Sequence, residues 1–249
     1  MRVLLFDTEN GSKSLGSKEK IQENFGYPVL RPTSWNGFNA LLGQIYKQEI
    51  VQSEVSIGEL KVKENRTVLI PKNGTDVGCI VLDTYTELVK KHQRELKGNS
   101  KTLSLPGWGE LKNDIDMSLE IANKLPCNVV FNVHGKIIED RDLGVLKLIP
   151  NIEGSSKDDL GKWFDFVFYA ITSTDDKGNH IYSWITKRSE RYDHAKDRTN
   201  LLPDTMPQDY GMVLDAAEKS GWDSAKILVI GSPGSGKTFA LKTLTKGEK

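Results

Sequence analysis

The chain has 249 residues, with 34 Lys and Arg balanced by 34 Asp and Glu. That length suits one large α/β domain, and the even charge excludes a global field drawing it to nucleic acid or membrane, so any such binding must come from a local patch. Cys79 and Cys127 lack metal-ligand spacing and read as buried free thiols of a cytoplasmic protein, and no run has the form of a signal peptide or reaches membrane-spanning length.

In chain order, nearly unbroken apolar runs predict strands over residues 3–6, 79–82, 128–133, 164–170 and 227–230. Such runs mark strands of a parallel sheet covered on both faces. Helix-spaced segments at 35–48, 86–96 and 108–124 lie among them, giving the alternation of a doubly wound α/β domain over residues 1–249. Two stretches of period two, about 55–72 and 175–190, predict accessory β-hairpins, the first turning at Glu64, Asn65 and Arg66. Residues 203–225, with Pro203, Pro207, Gly211 and Gly221, read as a polar connection.

The most specific motif is the last: Gly231, Ser232, Pro233, Gly234, Ser235, Gly236, Lys237 and Thr238 spell the phosphate-binding loop G-x-x-x-x-G-K-[ST]. A strand before it and a helix after it are the setting in which loop amides cradle phosphates, Lys237 reaches the β and γ phosphates of ATP, and the Thr238 hydroxyl binds Mg²⁺. A Gly/Ser-rich turn before an amphipathic helix lacks such flanks. The loop normally opens a domain whose sheet is built downstream, yet here it comes last. The missing acids stand at the front: Asp83 ends CIVLD as a candidate Mg²⁺ ligand, and Glu9 follows LLFD as a candidate to orient attacking water. Either acid alone reads equally well as a turn or helix-cap residue.

DTENGSKSL, VLDTYTELV, LSLPGWGELKNDI, LPCNVVFNVHGK and AKDRTNLLP, taken as a set, resemble the RecA-like ATPases of phage single-strand annealing and recombination proteins (Sak-type, RecA/RadA core). The resemblance spans nearly the whole chain and implies a RecA-like P-loop NTPase core with sheet order 5-1-4-3-2 in the family's own numbering. The loop is displaced from first to last, so the chain reads as a circular permutation, natural or engineered, joined from Lys249 to Met1. The old termini would then be fused within residues 203–225.

The resemblance further implies that His134 is a γ-phosphate sensor, where the residues alone also allow a strand-end histidine. It places Lys196 and Arg198 as cationic fingers acting in trans within a homo-oligomeric ring or filament, where the residues alone suggest solvated loop charges. It implies single-stranded DNA as a partner, held along the basic residues 90–101, the segment 136–147 and Trp108, which read equally as a solvated face and a core ring. The implied function is an ATPase, using ATP and Mg²⁺, coupled to self-assembly on single-stranded DNA. Two alternatives stand beside it: an ATP-regulated annealing module with negligible turnover, and a small-molecule phosphotransferase.

Overall fold

A computed structural model describes residues 1–141 and 144–245. The expected joint at Lys249 and part of the basic segment 136–147 lie outside the described residues. The chain runs β1 (Val3–Asp7), α1 (Lys18–Phe25), α2 (Trp35–Ile45), β2 (Tyr46–Ile57), β3 (Leu60–Pro71), β4 (Cys79–Asp83), α3 (Tyr85–Lys97) and α4 (Leu105–Lys124). It continues through β5 (Asn128–Asp140), β6 (Val145–Pro150), α5 (Ser156–Asp159), β7 (Phe166–Thr174), β8 (His180–Ile185), β9 (Lys196–Asp197), β10 (Thr205–Pro207), α6 (Tyr210–Lys219), β11 (Lys226–Gly231) and α7 (Lys237–Ala240).

Among the described residues nine strands form one sheet with the path β1-β4-β5-β11-β7-β8-β10, and β6 and β9 pair with β5 and β7. The first five strands of the path are parallel, and β8 joins β7 antiparallel. Alternate residues of the buried strands serve opposite cores. Leu4, Phe6, Ile80, Leu82, Leu228 and Ile230 pack with α2, α3 and α4, whereas Val3, Leu5, Val81, Ile227 and Val229 pack with α1, α6 and α7. Helices on both faces explain why these strands read as continuous apolar runs. Polar caps start the helices: Ser34, Ser104 and Asp209 accept from the backbone N–H of Gly37, Gly107 and Gly211.

Four expectations need correction. The first hairpin is longer than predicted and turns at Gly58 and Glu59, with Gly58 at φ +63° and Ile57 opposite Leu60. Glu64 and Arg66 are instead paired strand residues. Its first strand takes over residues assigned to the preceding helix, which ends at Ile45. The second hairpin is no accessory ribbon, because β7 and β8 are members of the central sheet. Residues 203–225 are more than a polar connection: β10 extends the sheet edge, and α6 buries Tyr210, Val213, Ala216 and Ala217.

Candidate active site

Parallel register brings the chemistry-bearing residues to one edge of the sheet. Asp7 stands opposite Asp83, Asp83 opposite Asn132, and His134 opposite Gly231 at the start of the phosphate loop. That carboxyl-end edge is where open α/β sheets place ligands.

Asp7 and Glu9, two positions apart at the end of β1, have separate tasks. The Asp7 carboxylate is buried and accepts from the backbone N–H of Glu9, Gly11 and Ser12 and from the Ser12 hydroxyl, fixing the turn after β1. Glu9 is thereby aimed into the cleft, where its Oε1 accepts from Thr84 Oγ1 at 3.0 Å and lies 2.6 Å from His134 Nε2. Burial pushes the Glu9 carboxyl up, but His134, Thr84 and Lys237 together outweigh it and hold the pKa below the usual glutamate value.

The phosphate loop meets the acidic strand directly. Thr238 Oγ1 donates to Asp83 Oδ2 at 2.6 Å across 155 positions of sequence, and Asn132 Nδ2 donates to Asp83 Oδ1 at 2.9 Å. Asp83 is 2% exposed, and burial raises its pKa against the opposing pull of those two hydrogen bonds. Lys237 Nζ donates to the carbonyls of Gly231 (2.7 Å) and Ser232 (2.9 Å). Burial lowers its pKa to about 8, opposed by the charges of Asp83 and Glu9.

The donor set fits ATP and Mg²⁺. A hydroxyl and a carboxylate are the hard oxygen ligands Mg²⁺ takes. Among the described residues no carboxylate lies within ion-pair distance of Lys237, whose charge stays available to phosphate. The cleft above the loop measures about 410 Å³ and gathers Glu9, Thr84, His134, Lys237 and Thr238 with Tyr182 and Phe239. Gly236, at φ +89°, is strained for any other residue, and a Cβ there would stand 2.7 Å from Gln208 Oε1 and Tyr182 Cδ1, forcing those side chains to shift.

The chain belongs to the AAA domain family. The family's sequence model matches residues 1–199, four-fifths of the protein. This AAA domain is a P-loop ATPase fold, binding and hydrolysing nucleotide, and the matched stretch holds Glu9, Asp83 and His134 but stops short of the phosphate loop. No curated protein and no solved structure matches the chain.

Other expected residues lie elsewhere. Lys196 and Arg198 sit by the amino end of β7, since Lys196 pairs with Val167 and the Arg198 N–H donates to Asp165 O. Gly231 is opposite Ala170, five residues and roughly 16–17 Å farther along the strand from Asp165 at ~3.3 Å per residue. Lys196 Nζ donates to Gly161 O, and Arg198 pairs with Asp165 at 3.1 Å. Neither reaches this chain's own loop. In the 90–101 segment, Lys91 donates to Thr8 O and Pro32 O and His92 stacks on Trp35, which removes both from the outward basic face. Trp108 packs against the core and over Gly154. Residues 136–140 and 145–147 belong to a two-stranded ribbon extending past His134.

Sequence reasoning missed Thr84, Asn132, Tyr182 and Gln208. Asn132 left a trace, being the polar interruption of the run NVVFNVH. Gln208, whose Nε2 donates to Ser235 O at 2.7 Å, left none.

Proposed function

We propose that this AAA domain is a circularly permuted RecA-like ATPase that couples ATP·Mg²⁺ hydrolysis to self-assembly on single-stranded DNA, as in Sak-type phage recombination. The observation carrying the ATPase core of this reading is the Thr238–Asp83 hydrogen bond, which joins the last segment of the chain to an early strand at the point where a Mg²⁺ ion needs both oxygens. Lys237 and the loop amides hold the phosphates, Thr238 and Asp83 hold the metal, and Mg²⁺ when bound neutralises charge building on the transferred phosphoryl group. Glu9, kept ionised by Thr84 and His134, orients the attacking water and accepts its proton. Its contact with His134 gives a route by which the state of the γ phosphate reaches the β5–β6 ribbon past His134.

Two observations favour the permutation. The path β7-β11-β5-β4-β1, counted from the loop strand as first, reads 5-1-4-3-2, and the family match ends before the loop. A junction of old termini fits the turn at Gly221 between α6 and β11. Self-assembly is favoured by Arg198, half exposed and remote from its own loop, which leaves room for it to serve a neighbour's site. Phosphate release measured with and without a single-stranded oligonucleotide, alongside size-exclusion profiles with ATP, tests the whole. Stimulated release together with a larger species supports it. ATP turnover unchanged by DNA in a protein that stays monomeric refutes the coupling.

A further inference from the structure

The sheet order fixes which way a bound nucleotide must point. Glu9 follows β1, Thr84 follows β4 and His134 lies on β5, all to one side of the loop strand β11. Water attack happens at the γ phosphate, so that phosphate faces these residues, and the nucleoside must leave the loop toward the opposite side, where β7 and β8 lie. On that side the cleft wall changes from carboxylate and imidazole to the Tyr182 ring, and Phe239 on α7 borders the same cleft. Tyr182, on β8, is 39% exposed and packs its ring on Gly236, and Phe239, next after Thr238, is 57% exposed with Lys242 Nζ 4.2 Å from its ring centroid. Both rings line the cleft that holds Glu9 and Lys237.

We infer that Tyr182 and Phe239 form the nucleobase subsite of this ATPase, holding the base by stacking. The inference rests on the nucleotide-binding reading of the phosphate loop and adds the half of the ligand that the loop does not touch. Several features suit the assignment. The Tyr182 ring stands open to water beside the phosphate site, as does the part of the Phe239 ring that Lys242 leaves uncovered, and a nucleobase is flat and of matching size. Tyr182 is also rigidly placed, because Ile171, Thr172 and Ser173 of β7 pair with Ser183, Tyr182 and Ile181 of β8. Its contact with Gly236 ties base occupancy to the shape of the loop. Beyond Tyr182 a second groove of about 580 Å³, lined by His180, Arg191 and Tyr192, reaches Ser232 and Ser235 from behind, so Tyr182 is a wall common to both.

The test compares Mg·ATP with Mg·tripolyphosphate, which carries the same phosphate chain and no base, by calorimetric titration of the full chain. Tyr182→Leu keeps an apolar group on Gly236 but removes the π face, and Phe239→Ala removes the second ring. Each substitution should weaken ATP roughly five- to 150-fold, the range measured for losing one stacked base, and leave tripolyphosphate affinity within about threefold. Tyr182→Phe should bind ATP like the unaltered protein. Lys237→Ala should lose both ligands, which separates a missing base contact from a broken loop. Equal losses of ATP and tripolyphosphate in Tyr182→Leu would mean the ring shapes the loop and does not hold a base. Unchanged ATP affinity in the Tyr182→Leu, Phe239→Ala double variant would overturn the inference while leaving the phosphate site standing. An unaltered protein that binds neither ligand would overturn the nucleotide-binding reading itself.

Discussion

Lys237 gives a prediction whose sign and size follow from its burial. Its side chain is 5% exposed and burial lowers its pKa from the ordinary lysine value of 10.5 to about 8, so the folded protein binds this proton less well than the unfolded chain does. A gap of about 2.5 units at 1.36 kcal/mol each amounts to about 3 kcal/mol. The cost of burying the charged form is fully present below pH 8, and it is relieved as pH rises from 8 to 10.5, where the unfolded chain holds more protons. Stability should therefore gain about 3 kcal/mol across that window from Lys237 alone. Lys237→Met removes the titration while filling the space, so urea unfolding of both proteins from pH 7 to 10.5 should show their difference in stability changing by about that amount. The variant forfeits hydrogen bonds to Gly231 O and Ser232 O, roughly 1 kcal/mol each, and this constant offset does not depend on pH. Phosphate needs the charged form, so ATP affinity should fall about tenfold per unit above pH 8. A stability difference that stays flat from pH 7 to 10.5 would refute the buried-charge argument.

Glu9→Gln keeps the shape and the Thr84 contact but loses the base, so it should bind ATP normally and turn over about 10²- to 10⁴-fold more slowly in a phosphate-release assay; unchanged hydrolysis would move water activation elsewhere. Gly236→Ala forces a Cβ against Gln208 and Tyr182 at a positive φ, and it should cost about 2–5 kcal/mol in urea unfolding with a matching loss of ATP binding. Arg198→Ala should leave nucleotide affinity nearly intact and lower turnover by up to ~10³-fold or more, and mixing it with Glu9→Gln should restore activity above the sum of the two. Strict additivity in proven mixed oligomers would place Arg198 outside any neighbour's site. A chain rearranged to run from 222 to 249 and then from 1 to 221 should fold and bind ATP with the affinity of the parent, and failure to fold would count against a permutation joined at Gly221.

What could be read in advance followed burial. VLLFD, CIVLD and KILVIG are buried at every position, so their composition announces strands of a covered parallel sheet, and the acids closing the first two stand out against it. The first hairpin is exposed over most of its length, so no buried face fixes its register, and its turn lies several residues before the one the alternation predicts. The membership of β8 in the main sheet depends on pairing with β7 that the local alternation of HIYSWI leaves open. Within the site, the phosphate loop is a contiguous motif, whereas the Glu9–His134 contact joins residues 125 positions apart and the aromatic wall depends on which strand flanks the loop. Spacing along the chain carries no record of either.

The central claim is that the late phosphate loop and the early acidic strand make one metal-dependent nucleotide site. Calorimetric titration of ATP into the unaltered protein and into Asp83→Asn, each with Mg²⁺ and with a chelator, tests it most directly. The account predicts tight binding that weakens at least tenfold when Mg²⁺ is removed, and an Asp83→Asn variant in which the metal makes little difference. Equal affinity with and without Mg²⁺ in the unaltered protein, or full Mg²⁺ dependence surviving in Asp83→Asn, would contradict it.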